Sequence, residues 1–414
     1  MVLGGKSTPY STISRPFLYQ EPSRENAIRR FRRRTAIKDG PRPGDRTVDP
    51  LDYIPTGPFV RSGPRDGVSA KRVYKGVKAM TERLKLALVG CGAIADWHQQ
   101  AIREAPEVEI TAAIDVDAAK AEAMAKKTSA RAFTSLAEGV DSGCFDAVLL
   151  MLPHHLHESI ALEALGAGVH VMLEKPMAPS LDSCARILLA AEKAKGRFML
   201  AENAQYWPEI AIVKEALDAG AIGDLVTARV QLFFPPMPQY YGGEKVWRLD
   251  KKAAGGGLSI DTGSHYIRPL RIWMGEIEEV VAAMETPFPG MEGESLVRSI
   301  FRFTSGQVAS FDLLLTTGAI APQDMFRITG TEGEITVGAG VTLYNTENRR
   351  GVKLREDVPQ GYMLSYQGQA ADFAAAVLRD QPFAASPEFS LGEVRTALAM
   401  ERSAETRCWE KVWD

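Results

Sequence analysis

An apolar run from Val169 to Leu173 ends in Glu174-Lys175-Pro176. Proline fixes the turn and keeps the residue before it out of the helical region. Lys175 is therefore held extended at the carboxyl edge of a buried strand. There its ammonium group can bind a substrate hydroxyl and pass on a proton. The competing reading is a plain, exposed strand-end lysine. A second cluster follows Gly255-Gly256-Gly257, where Asp261 and His265 stand four residues apart. That spacing puts both side chains on one helical face. An aspartate that orients a histidine makes an acid–base pair. A helix-start cap beside a core histidine would have the same spacing. A third group, Pro153-His154-His155-Leu156-His157, follows the strand-like AVLLML. Three close histidines suggest metal, but no cysteine or acid accompanies them and their spacing fits zinc poorly. Contact of Pro153, His154 and His157 with a bound cofactor or substrate is the better reading, and no metal site is expected.

These groups need a scaffold that brings strand ends together, and residues 84–95 (LKLALVGCGAIA) supply its start. The run reads as a buried strand, a glycine turn and the first turn of a helix. Gly90 allows the sharp turn, and Gly92 lets the backbone approach a pyrophosphate. The N–H groups around Ala93 and Ile94 face that phosphate, and Ala95 keeps the helix close to the sheet. Residues 108–114 read as the second strand, closed by Asp115, 25 residues after Gly90. A carboxylate there accepts ribose hydroxyls and repels a 2′-phosphate, which favours NAD over NADP. Cys91 reads as a small filler within the turn, not as a nucleophile.

From 83 to about 201, short apolar strands (84–90, 108–114, 131–133, 146–152, 169–173, 197–201) alternate with helices such as 117–127, 155–167 and 180–195. This is the rhythm of a doubly wound parallel α/β sheet. Longer alternating segments then appear at 225–234, 276–285, 297–304, 307–316 and 323–330, as in an open, mostly antiparallel sheet. A helix over 261–274 interrupts them, and helices over 364–379 and 390–405 pack back on the body. The expected organisation is an arm (1–79), a dinucleotide-binding domain (80–203) and a substrate and oligomerisation domain (204–414).

The formal net charge of −3 gives no overall bias toward nucleic acid. No run of about 18 apolar residues suggests a membrane span. The four cysteines are scattered without a C-x-x-C, which points to reduced thiols in the cytoplasm. The first 79 residues differ from the rest. They hold 17 Lys and Arg against 7 Asp and Glu, with nine of the 24 prolines. The composition predicts an extended or disordered segment, apart from a short basic helix over 25–34. No apolar stretch follows Arg29-Arg30, so the pair does not read as an export signal. The arm reads either as an upstream extension of a chain starting at Met80 or as a strap on a neighbouring subunit.

Together these motifs resemble the glucose–fructose oxidoreductase / inositol dehydrogenase (Gfo/Idh/MocA) family over about 84–405. The resemblance rests on Gly90-x-Gly92-x-x-Ala95, the Pro153–His157 loop, Glu174-Lys175-Pro176, Glu202-Asn203…Tyr206, Trp247-Arg248 and Gly255-Gly256-Gly257…Asp261-x-x-x-His265. It implies an N-terminal Rossmann domain and a C-terminal α/β domain whose open sheet forms subunit interfaces, in a homodimer or homotetramer. It implies oxidation or reduction of a sugar, polyol or inositol-like carbinol with NAD or NADP. By position, Lys175 would hold the reacting hydroxyl and His265 would be the base, oriented by Asp261. Glu174 would line the cofactor site. Tyr206, Tyr240, Trp247 and Arg248 would line the sugar pocket. His154 stands where the family pattern often has asparagine. Two alternatives share the motifs: a redox-neutral, NAD-dependent glycoside-cleaving enzyme and a non-catalytic sugar or nucleotide sensor.

Overall fold

Strand β1 (Leu84–Val89) sends alternate side chains into two different cores. Leu84, Leu86 and Leu88 enter one, Ala87 and Val89 the other. Lys85 is exposed, but from Leu86 on the strand is buried on both faces, which is why the run is apolar there and does not alternate. Burial of each such leucine stabilises the fold by about 1.5–3 kcal/mol. The computed structural model describes residues 82–242, 246–356 and 359–413. These all fall in one compact unit spanning 41–414. The expectations for the arm, the short basic helix and Met80 lie outside the described residues.

Five further strands join β1: β2 (Val108–Ile114), β3 (Arg131–Phe133), β4 (Ala147–Leu150), β5 (His170–Glu174) and β6 (Phe198–Ala201). All pair in parallel, in the order β3-β2-β1-β4-β5-β6. Helices α1 (Ala93–Arg103), α2 (Ala118–Thr128), α3 (Leu136–Asp141), α4 (His157–Gly166) and α5 (Leu181–Lys193) make the crossovers. The strand order reverses at β1 and β4, which opens a crevice at the carboxyl ends of the strands. Gly90, Asp115, Pro153, Lys175 and Glu202 each stand within three residues of such an end.

After α6 (Pro208–Asp218) the chain builds a second sheet. Its strands are β7 (Leu225–Phe234), β8 (Ile277–Glu285), β9 (Leu296–Phe303), β10 (Val308–Leu315), β11 (Phe326–Gly330), β12 (Gly333–Val337), β13 (Val341–Asn345), β14 (Val352–Arg355) and β15 (Glu410–Lys411). Their order is β14-β13-β12-β11-β7-β10-β9-β8-β15. All neighbours are antiparallel except β7 and β10. The alternation on β9 puts Val297, Phe301 and Phe303 inside and leaves Arg298 and Ile300 outside. Helices α7 (Ser264–Met274), α8 (Pro359–Arg379) and α9 (Leu391–Thr406) complete the body. Ala370, Phe373 and Ala374 of α8 pack into the same core as Leu84 and Leu88.

Two expectations change here. The helix expected over 261–274 begins at Ser264, because residues 258–263 form turns. Strands β12, β13 and β14 were not anticipated after the turn at 330–333. They are only five, five and four residues long, too short for alternation to stand out.

Candidate active site

Gly90 turns with φ +89°, and a Cβ there would lie 2.3 Å from the Met151 carbonyl oxygen, so only glycine fits. Gly92 caps α1 without a side-chain cap, which leaves the first N–H groups of the helix free. No protein atom lies within 4 Å of the Cβ position at Gly92, so the backbone faces open space. Ala95 is fully buried against β1, as close packing requires. Asp115 accepts the N–H of Cys91 at 2.8 Å on one carboxylate oxygen and that of Asp117 at 2.9 Å on the other. The same residue lines the crevice. These features fit a dinucleotide, with its pyrophosphate at α1 and its adenosine ribose at Asp115. Burial, and then Asp115, push the Cys91 thiol up to about 12, so it is no nucleophile at neutral pH.

The crevice is one cleft of about 1050 Å³. Gly90, Gly92, Ala93, Ile94, Asp115, Pro153, His154, Glu174 and Lys175 line it from the first sheet, and Tyr240, Trp247, Arg248, Asp261 and His265 from the second half of the chain. Leu232 and Phe234 of β7 form part of its wall. The Gly255–Gly257 turn is held by close contact: a Cβ on Gly257 would lie 2.1 Å from the Glu294 carbonyl oxygen.

Asp261 sits between two cations. Lys175 Nζ donates to its Oδ1 and to its backbone carbonyl oxygen, each at 2.7 Å. Arg248 Nε donates to Oδ2 at 3.1 Å. Burial alone pushes the Asp261 carboxyl up, but Lys175 and Arg248 outweigh it and hold it well below the usual carboxylate range. Asp261 therefore does not orient His265. Residues 258–263 form turns and the helix starts only at Ser264, so the two residues do not share a helical face. His265 Nδ1 instead lies 2.5 Å from Oε1 of Glu202, at the end of β6. Glu202 is 2% exposed and also accepts the Ala204 N–H. Burial works against its charge, yet His265, Arg268 and Lys175 bring its pKa down to about 2. An ionised carboxylate only accepts, so Nδ1 carries a proton and donates it to Glu202, which leaves Nε2 turned away from that carboxylate.

Two expected site residues do not line the cleft. His157 is buried, with Nδ1 2.8 Å from the Pro176 carbonyl oxygen and Nε2 3.0 Å from that of Leu152. It ties two loops together. Tyr206 ends a short 3₁₀ turn and donates its hydroxyl to Asp372 of α8 at 2.6 Å. The next residue, Trp207, lines the cleft in its place, with its ring centroid 6.1 Å from that of His265. The three neighbouring histidines diverge. Their Nδ1 atoms face the carbonyl oxygens of Ala254, Ala253 and Pro176. Among the described residues, no three His, Cys, Asp or Glu side chains converge as metal ligands would.

The sequence motifs included Glu202 but gave it no role, and they did not single out the cleft-lining Trp97, Trp207 or Tyr362. Glu202 carries a signal nonetheless: a carboxylate directly after the buried strand FMLA, at the same sheet edge as Lys175.

Residues 84–202 match the model of an oxidoreductase family with an NAD-binding Rossmann fold. Residues 210–336 match the GFO/IDH/MocA C-terminal domain. The chain belongs to the GFO/IDH/MocA family of oxidoreductases. The cofactor of this GFO/IDH/MocA protein is accordingly NAD. It is 29% identical over 328 residues to 1,5-anhydro-D-fructose reductase from Ensifer adhaerens, a match spanning 77% of this chain and 96% of that protein. D-apiose dehydrogenase from Paraburkholderia graminis is 25% identical over 294 residues, 70% of this chain and 76% of that one. A solved oxidoreductase from Thermotoga maritima shares the fold with TM-score 0.72 and 30% identity, over 80% of this chain and 99% of the other. No helix among the described residues is long and apolar enough to cross a membrane.

Proposed function

We propose that this protein transfers hydride between a sugar, polyol or inositol-like carbinol and NAD, with Lys175 and His265 handling the hydroxyl and its proton. The observation that carries this reading is two carboxylate-backed groups on one cleft: Lys175 on Asp261 and His265 on Glu202. When bound, the nicotinamide supplies a two-electron hydride acceptor or donor. The chain's own residues supply position and proton transfer.

Lys175 Nζ spends two N–H groups on Asp261 and keeps one for the reacting oxygen. His265 takes the hydroxyl proton at Nε2 in the oxidative direction and returns it in reduction. Glu202 fixes the ring and tautomer and stabilises the imidazolium that forms. Asp261 positions Lys175 and Arg248. Asp115 takes the ribose hydroxyls and sets a preference for NAD. Pro153, His154, Ile94 and Glu174 pack around the cofactor, while Tyr240, Trp247 and Arg248 hold the sugar.

The open face of the second sheet supports association of two copies. Ile300 and Val308 are 41% and 38% exposed there, on the opposite face from Leu232 and Phe234. The four cysteines form no disulfide, which supports a reducing compartment, the cytoplasm. The domain division at about residue 203 is retained, since one family model ends at 202 and the next begins at 210. The test is NADH formation by the purified chain with a panel of uncharged sugars and polyols, compared with its Lys175→Ala variant. NADH from the parent but not the variant supports the assignment.

A further inference from the structure

His154 is 2% exposed and lines the cleft, yet only one of its ring nitrogens has a hydrogen-bond partner among the described residues. After β4, Pro153 leads the chain into a short 3₁₀ turn over His154–Leu156, at the carboxyl edge of the first sheet. From there Nδ1 lies 2.7 Å from the carbonyl oxygen of Ala254, which ends the short helical turn Lys251–Ala254. A carbonyl oxygen only accepts, so Nδ1 carries the proton. Burial holds the imidazole well below the usual histidine range; His157 and Lys175 add to this, against the pull of Asp261. The ring therefore keeps that one proton, and Nε2 is a lone-pair acceptor. The ring is held between Trp247 and His157, whose centroids lie 4.6 and 5.5 Å from its own.

Nε2 faces a second acceptor. Oδ1 of Asp261 lies 3.7 Å away, too far for a hydrogen bond. That carboxyl has no proton to give, since against burial Lys175 and Arg248 hold it well below the usual carboxylate range. Two acceptors side by side on buried residues call for a donor between them. Lys175 is not that donor: two of its N–H groups go to Asp261, and the third belongs to the reacting oxygen. Arg248 gives its Nε to the other carboxylate oxygen. The Oδ1 that faces His154 also takes Lys175 Nζ at 2.7 Å, so the acceptor pair stands beside the point where the reacting hydroxyl is held. A hydroxyl on the next carbon of the same substrate has the reach and the proton to satisfy it.

We propose that His154 is a specificity-determining residue: its Nε2, beside Asp261 Oδ1, accepts the proton of a second substrate hydroxyl on a carbon next to the one oxidised. The substrate is then a vicinal diol. A deoxy or O-methylated carbon at that neighbour is rejected, because it leaves a buried acceptor without a donor. This rests on the oxidoreductase reading of the same site and deepens it: His154 packs beside the cofactor there, and its free nitrogen reads the sugar. An asparagine, which the family pattern often has at this place, would offer N–H groups as well as an oxygen and would make no such demand.

The test uses the full chain loaded with NADH. Trp97, Trp207 and Trp247 line the cleft, so quenching of tryptophan fluorescence reads binding without turnover. The probes are myo-inositol, D-glucose and 1,5-anhydro-D-glucitol, each beside its monodeoxy analogues, and the same probes are assayed for NADH formation with NAD. The parent should bind at least one probe about tenfold or more tighter than the analogue lacking the neighbouring hydroxyl. His154→Leu should bind that probe and that analogue about equally, with NADH affinity close to parental. His154→Gln, whose side-chain oxygen can still accept, should restore part of the preference; it carries the test should the leucine variant not fold. Parental preference in the variants would overturn the proposal, and so would silence from every probe. NADH affinity lost in a folded variant would give the donor to the cofactor and overturn it too. A preference that depends on His154 without NADH formation would keep this residue's role and reject the dehydrogenase. NADH formation without the preference would do the reverse.

Discussion

Nδ1 of His265 lies 2.5 Å from Oε1 of Glu202, a contact that spans 63 residues of sequence and joins the end of β6 to the start of α7. The acid behind the histidine is thus on the first sheet, not on the histidine's own helix. The cleft holds two separate carboxylate–base units, and each has its own test.

Glu202→Gln should lower kcat by about tenfold or more while changing KM little, because the amide holds the ring less firmly and stabilises no imidazolium. Steady-state kinetics across pH checks this. Parental kcat and an unchanged pH profile in the Glu202→Gln protein would remove Glu202 from proton transfer.

The same carboxylate shapes stability against acid. Its folded pKa of about 2 lies below the ordinary 4.5. Its contribution is therefore full above about pH 4.5 and is lost as pH falls toward 2. The parental protein should lose stability through that window, and Glu202→Gln should lose less of it. Denaturant midpoints measured from pH 6 to pH 2.5 report the difference.

Asp261→Asn leaves Lys175 and Arg248 without the anion between them. Removal of one member of a buried charge cluster costs about 2 kcal/mol or more, and kcat/KM should fall by at least tenfold as Lys175 loses its position. Thermal unfolding with kinetics on the same preparation separates the two effects. If Asp261 instead acted on His265, the loss would appear as a shifted pH profile with stability intact.

Tyr206→Phe serves as the opposite control. The lost hydroxyl bonds Asp372 outside the cleft, so stability should drop by about 1–2 kcal/mol with KM and kcat unchanged. A raised KM for the sugar would return Tyr206 to the pocket.

The first sheet was legible because a strand buried on both faces reads as a continuous apolar run, as β4 does throughout and β1 does from Leu86 on. Its motif residues fall at strand ends, where topology alone collects them. Of the residues expected in the site, His157 and Tyr206 are the ones that fall outside the cleft. The misses have two sources: local spacing stood in for tertiary direction at Asp261 and the histidine loop, and position in the family pattern did so at Tyr206. Asp261 and His265 have helical spacing, but the helix starts between them. Tyr206 and Trp207 are neighbours, and the 3₁₀ turn at 203–206 decides which one faces the cleft. Three clustered histidines looked like one unit, yet each answers to a different backbone carbonyl. The partner of His265 lies 63 positions away, where no periodicity reaches.

The decisive measurement is NADH formation from uncharged sugars and polyols by the parent, Lys175→Ala and His265→Ala proteins, with NAD affinity followed alongside. The predicted result is stoichiometric NADH from the parent, a loss of about a hundredfold or more in kcat for each variant, and NAD binding close to parental in both. Near-normal turnover in either variant would contradict the Lys175–His265 assignment, and substrate consumed without net NADH would contradict the hydride-transferring dehydrogenase itself.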